Sequence, residues 1–138
     1  MKVFLGGTTA SSSWRDTLIP LLKVDYFNPI VDNWTKEHQE EEIRQRGICE
    51  QVLYVITPRM RGFLSICELI DDSNKRPKTT LFCILKFDTN ELGTTITFTE
   101  EAKMSLDAIS KMAITNGAKK FSSLESLANY LNNYDKEL

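Results

Sequence analysis

The sequence predicts an α/β domain, one sheet of about five parallel strands with helices on both faces. Short apolar runs alternate with longer polar or amphipathic runs along the whole chain. The segments between apolar runs are long enough to hold the crossover helices that parallel strands need. The run "TLFCIL" is apolar at almost every position, as a strand covered on both faces must be.

In chain order, "VFLGG" (3–7) is a short apolar run ending in two glycines, which fits a buried strand. In "SSSWRDTLIPLL", Ser11, Ser12 or Ser13 can cap a helix, and Asp16 suits its first turn. Pro20 predicts a kink or an early end. "KVDYFNPI" (23–30) is a second strand stopped at Asn28-Pro29, and a polar helix over 35–47 follows, capped by Thr35 and ended by Gly47. "EQVLYVITP" (50–58) is the third strand, 62–75 a mostly buried helix and 78–87 the fourth strand. Residues 98–117 form a helix between Thr99 and Gly117, 118–123 a short fifth strand, and "SLESLANYLNNY" a closing helix. No repeat or low-complexity linker interrupts residues 1–138, so they are expected to form one domain. The architecture is flavodoxin/Rossmann-like, a class that binds ligands at the carboxyl ends of its strands, at the topological switch point.

Composition narrows the function. With 17 basic against 19 acidic side chains and a net charge of −2, bulk electrostatics give no reason to expect a nucleic-acid partner. No apolar run approaches the roughly 20 residues that span a membrane, and "MKVFLGG" reads as a first strand rather than a signal peptide. Cys49, Cys67 and Cys83 lie in apolar surroundings and are expected to be reduced and buried, which points to a cytoplasmic protein. With one histidine, His38, expected at the surface, and no CxxC, the chain lacks the pattern of a structural zinc site.

Three loops leave carboxyl ends of strands and should converge. The first, "GGTTASSSWR", offers Gly6, Gly7, Thr8, Ser11, Ser13, Trp14 and Arg15 near a helix start. Amides, hydroxyls and a guanidinium there make an anion site, and a polar, well-capped strand-to-helix turn explains them too. It is neither a P-loop nor GxGxxG. The second, "NPIVDNW", carries Asp32, Asn33 and Trp34, where Trp34 can stack on a base or cover the core edge. The third leads to Glu68, set among Leu64, Ile66, Cys67, Leu69 and Ile70. Glu68 is either a solvated helix residue or a partly buried carboxylate that needs donors, the kind found at functional sites. The acidic stretch 37–42 is most simply a solvated helix face from which one acid can point inward.

Three segments, spread over residues 1–87, resemble the nucleoside 2-deoxyribosyltransferase family, including its relatives that hydrolyse nucleoside monophosphates. In "LYVITPRMRGFLSICELIDDSNK", Glu68 falls on the family's nucleophile and Leu69 on its leucine, while Ile66-Cys67 and Ile70 stand where the family has glycine-containing positions and Gly62 supplies a glycine upstream. In "EEEIRQRGICEQVLYVI", Glu42 and Glu50 hold the places of two family aspartates. "KVFLGGTT" matches the first strand and its glycine loop, with Phe4 nearest the family's tyrosine, and "NPIVDNW" is similar to the sugar- or base-facing loop. The resemblance implies cleavage of an N-glycosidic bond of a (deoxy)nucleoside or its 5′-monophosphate, with Glu68 as nucleophile, Glu42 or Asp32 as acid, and transfer to another base or to water. It implies no cofactor, and a homodimer or larger homo-oligomer. If Thr8, Ser11, Ser13 and Arg15 bind a 5′-phosphate, a nucleotide is expected. The alternative is a nucleotide-binding or sensing module of the same fold without turnover.

Overall fold

The computed structural model describes residues 1–9 and 11–134. In chain order it contains β1 (Lys2–Gly7), α1 (Trp14–Leu18), β2 (Asp25–Phe27), α2 (Lys36–Ile48), β3 (Gln51–Ile56), α3 (Leu64–Lys75), β4 (Thr80–Ile84), β5 (Phe87–Thr89), β6 (Thr95–Thr97), α4 (Glu100–Asn116), β7 (Lys119–Phe121) and α5 (Leu124–Asn132). The main sheet has five strands in the order β2-β1-β3-β4-β7, every pair parallel. That is the flavodoxin-like order, and its switch point lies between β1 and β3.

The two sheet faces carry separate apolar clusters. Val3, Leu5, Leu53, Val55, Leu81 and Cys83 meet Trp14, Leu18 and the inner side of α5 on one face. Phe4, Val52, Tyr54 and Phe82 meet Leu69 of α3 and Ala113 of α4 on the other. The alternation along β1 and β3 assigns successive side chains to opposite faces, and all six residues of β3 are buried.

Several ends differ from the sequence expectation for local reasons. β2 is an edge strand and pairs only over three residues, because Asn28 turns the chain by accepting the Ile30 amide and Pro29 has no N–H to give. α1 ends at Leu18 and a short 3₁₀ turn over Ile19–Leu21 takes in Pro20, the early stop expected there. Ser13 stands at the N-cap position of α1, yet its hydroxyl makes no cap bond. Thr35 and Thr99 cap α2 and α4 as expected. Gly47 does not end α2, which runs on to Ile48, whereas Gly117 ends α4 with a φ of +116°. α3 is less buried than its apolar content predicts, with Phe63 and Leu64 open to solvent at its start. The expected fourth strand splits into β4 and β5, and β5 pairs antiparallel with β6 in a separate hairpin. Cys49 and Cys83 are buried, but Cys67 is exposed, because it sits on the outer side of α3. His38 is exposed near the start of α2. No described helix is long and apolar enough to cross a membrane.

Candidate functional site

At the switch point, the loops after β1 and β3 part and open a cavity of 730 Å³. That size lies within the usual small-ligand range of about 300–1,000 Å³. Two glycines let the strands run this close: a Cβ on Gly6 would meet the Tyr54 ring at 2.7 Å, and one on Gly7 would meet the Val55 carbonyl oxygen at 2.1 Å. The Thr8 amide donates to the Val55 carbonyl (2.8 Å), and the Thr57 amide donates to the Thr8 hydroxyl (2.9 Å). These bonds tie the first and third loops together.

All three expected loops reach the cavity. The first brings Thr8, Ser11 and Arg15, beside Phe4, Gly6 and Gly7 of β1; Trp34 comes from the second, and Gly62 and Glu68 from the third and its helix. Glu42 points in from α2. Asp32 and Asn33 are exposed and do not line it, because the second loop turns them to solvent while Pro29, Ile30, Val31 and Trp34 face in. Trp14 is a core residue, 3% exposed, whose indole N–H donates to the Thr8 carbonyl. Ser13 borders a separate 280 Å³ cavity. Asn132 is taken up inside the fold, accepting from the Lys23 amide and donating to the Leu21 carbonyl.

Arg15 is used differently from the ligand-gripping role expected of it. It is buried, and its Nε and Nη2 donate to the Leu5 carbonyl while Nη1 donates to Thr8. Burial pulls its pKa down to about 10, against the pull of Glu42. Arg15 is thus the internal brace of the first loop. Further hydroxyls at the cavity wall come from Thr9 and Ser65, and a guanidinium from Arg61, which is paired with Glu91. These lie inside loops that the sequence marks as site-forming, but nothing in residue type singles them out.

Two carboxylates share the cavity. The Glu68 side chain is 17% exposed and its Oε2 lies 3.4 Å from Arg46 Nε. Burial pushes the Glu68 carboxyl upward; Arg46 pulls it down, and Glu42, Asp72 and Asp71 push it up further. Burial also pushes Glu42 up, against Arg15. Among the described residues Glu42 has no ion-pair partner within contact distance, whereas Glu68 lies beside Arg46. Among the described residues no three His, Cys, Asp or Glu side chains gather as a metal ion would need.

Compared with protein-family models, curated proteins and solved structures, the chain matches none.

The hairpin that the sequence reading did not anticipate braces this site. The Asp88 carboxylate of β5 accepts from the Ser12 and Thr57 hydroxyls, one on each cavity-forming loop. Arg59 donates to the Thr89 carbonyl and pairs with Glu91, which also takes Arg61. Hydrogen bonds to Asp88, which outweigh its partial burial, hold its carboxyl below the ordinary value, so it stays an acceptor.

Proposed function

We propose that the protein cleaves the N-glycosidic bond of a (deoxy)nucleoside or nucleoside 5′-monophosphate through a covalent glycosyl-Glu68 intermediate, as the nucleoside 2-deoxyribosyltransferase-like enzymes it resembles do. The observation that carries this reading is the pair Glu68 and Glu42 on the wall of one cavity, with only Glu68 in contact with a cation. A Glu68 oxygen attacks C1′ as the C1′–N bond breaks, and the departing base takes its proton from Glu42. A second base, or water, then attacks C1′, gives its proton to Glu42 and restores the Glu68 carboxylate. Two displacements at C1′ retain the configuration. Trp34, 62% exposed at the rim, offers a face on which a base can stack.

The test is chromatography of deoxynucleosides and their 5′-monophosphates after incubation with the protein, each with and without a second free base. Release or exchange of base supports the reading, and dependence on added base separates transfer from hydrolysis. Survival of every substrate at high protein concentration, with a ligand-induced rise in melting temperature, favours a binding module instead.

Glu42→Gln tests the acid. Gln keeps the size and removes the proton, so base release should fall about 10²- to 10⁴-fold. The loss should be far smaller for a nucleoside whose base leaves without protonation. An equal loss on both substrates would remove Glu42 from the acid role.

Assembly belongs to the same proposal. Trp34 and Leu64 on the cavity wall expose large apolar surface, at 62% and 69%, and Phe63, next to Leu64 in the chain, is 73% exposed. Apolar surface grouped in this way marks an interaction site more often than isolated residues do. A homodimer or larger assembly would cover it, and light scattering on a sizing column should return a multiple of the 15.8 kDa chain mass. A monomer that still turns over substrate would remove assembly from the account.

A further inference from the structure

α2 is an unusual helix to find docked against a sheet. Its Ile43 and Ile48 are exposed, and only Gln45 is fully buried. Its side-chain link to α3 runs through Arg46. The guanidinium meets three carboxylates of α3: Asp72 at 3.1 Å, Asp71 at 3.1 Å and Glu68 at 3.4 Å. Positions 68, 71 and 72 are i, i+3 and i+4, so they share one helix face. Behind them Tyr54 of β3 donates its hydroxyl to Asp72 and accepts from Arg46 Nε at 3.0 Å.

This is more negative charge than a structural ion pair requires. Asp72, with its side chain 8% exposed, is the partner that burial demands. Glu68 adds a further carboxylate at a slightly longer distance, with its other flank on the cavity. We propose that Arg46 is a positioning residue that presents Glu68 to the cavity as a carboxylate, while Asp72, Tyr54 and Asp71 hold the guanidinium in place. The inference rests on the reading of Glu68 as the nucleophile. The Nε of this planar fork lies among Tyr54, Asp72 and Glu68 while its Nη2 reaches Asp71, an arrangement that holds the guanidinium beside Glu68, whereas a lysine would supply a mobile point charge.

The groups that act on Glu68 are Arg46 and Glu42 from α2, and Asp71 and Asp72 on α3 itself. Burial and the three acids favour the protonated form; Arg46 is the one of these groups that opposes it. Losing Arg46 should therefore move Glu68 toward the acid form.

The test follows the Glu68 side-chain carboxyl carbon by NMR through a pH titration of ¹³C-labelled, substrate-free protein, with the resonance assigned by its loss in Glu68→Gln. In Arg46→Gln the Glu68 midpoint should rise by about one pH unit or more. In Arg46→Lys the rise should be smaller. In the wild type the Arg46 Nε resonance should titrate with the Glu68 midpoint, and that step should vanish in Glu68→Gln. This last measurement needs no Arg46 variant, so misfolding of Arg46→Gln does not remove the test. An unmoved Glu68 midpoint in folded Arg46→Gln, or an Arg46 Nε resonance indifferent to Glu68, overturns the proposal. Base release on the same samples keeps the two readings apart. A moving midpoint without any base release upholds the positioning and sinks the nucleophile. Base release with an unmoved midpoint does the reverse.

Discussion

Glu68→Ala should lower base release by a factor on the order of 10⁴ or more, the scale seen when an enzyme loses its nucleophile. The cavity walls come from β1, α2 and the loops after β1, β2 and β3 as well as α3, so the variant should still bind nucleoside while failing to turn it over. Glu68→Gln adds a second, independent readout. The folded protein holds the Glu68 carboxyl above its ordinary value of 4.5, chiefly through burial. Between the ordinary and the raised value the folded chain binds more protons than the unfolded one, so stability falls as pH rises through that window. Above the raised value the whole cost is present. Gln carries no such cost, and Arg46 keeps Asp72 and Asp71 as partners. Glu68→Gln should therefore melt above the wild type at pH 7, with the gap closing as pH falls through the raised value toward 4.5. Melting curves at pH 7 and pH 4 check this. A gap of constant size would mean that the difference is packing rather than charge, and full activity in Glu68→Ala would sink the nucleophile.

The fold was legible because its strongest signals are local. β3 and β4 are apolar at consecutive positions, and only a strand buried on both faces explains that in so short a run. Thr35, Thr99 and Gly117 act through their own backbone, so their roles could be read from residue type. Gly47 misled because a glycine inside a helix costs only about 1 kcal/mol, which tertiary contacts readily offset. Arg76 supplies such contacts, donating to the Arg46, Cys49 and Glu50 carbonyls at the end of α2. The β5–β6 hairpin escaped because three-residue strands give almost no periodicity, and Asn90 turns the chain by accepting the Leu92 and Thr94 amides.

The site was legible at the level of loops and only partly at the level of side chains. Strand order brings "GGTT", "NPIV" and "TPRMRG" to one end of the sheet, and that follows from topology alone. Which residue of a loop turns inward depends on tertiary partners. Arg15 is spent on the Leu5 and Thr8 carbonyls, 10 and 7 residues back, at the end of β1 and the start of its loop. Asp32 and Trp34 are two positions apart, and the loop shows the cavity the Trp. Arg46 gave no sequence signal, because a lone arginine on a polar helix looks solvated until Asp72 and Tyr54 are seen behind it.

Gly7→Ala should be among the most damaging small substitutions in the chain. Gly7 has a φ of +119°, a region that costs other residues about 1–3 kcal/mol. Its new Cβ would also lie 2.1 Å from the Val55 carbonyl oxygen and 2.6 Å from the Val55 amide nitrogen. Both are backbone atoms of the central strand, so no side chain can turn aside. Relief requires β1 and β3 to part at the switch point, which breaks the Thr8–Val55 hydrogen bond of 2.8 Å. Overpacking of this kind adds a further cost of about 1–3 kcal/mol. The sum, about 3 kcal/mol or more, corresponds to a fall in Tm of about 10 °C at this chain length. Gly93→Ala is the control. Gly93 also has positive φ, at +76°, but a Cβ there meets nothing within 4 Å. It should lose only the backbone contribution, about half of the effect. Were the two variants to melt together, the close approach of β1 to β3 would not be what requires a glycine, and the cavity wall would tolerate a side chain where bare backbone now stands.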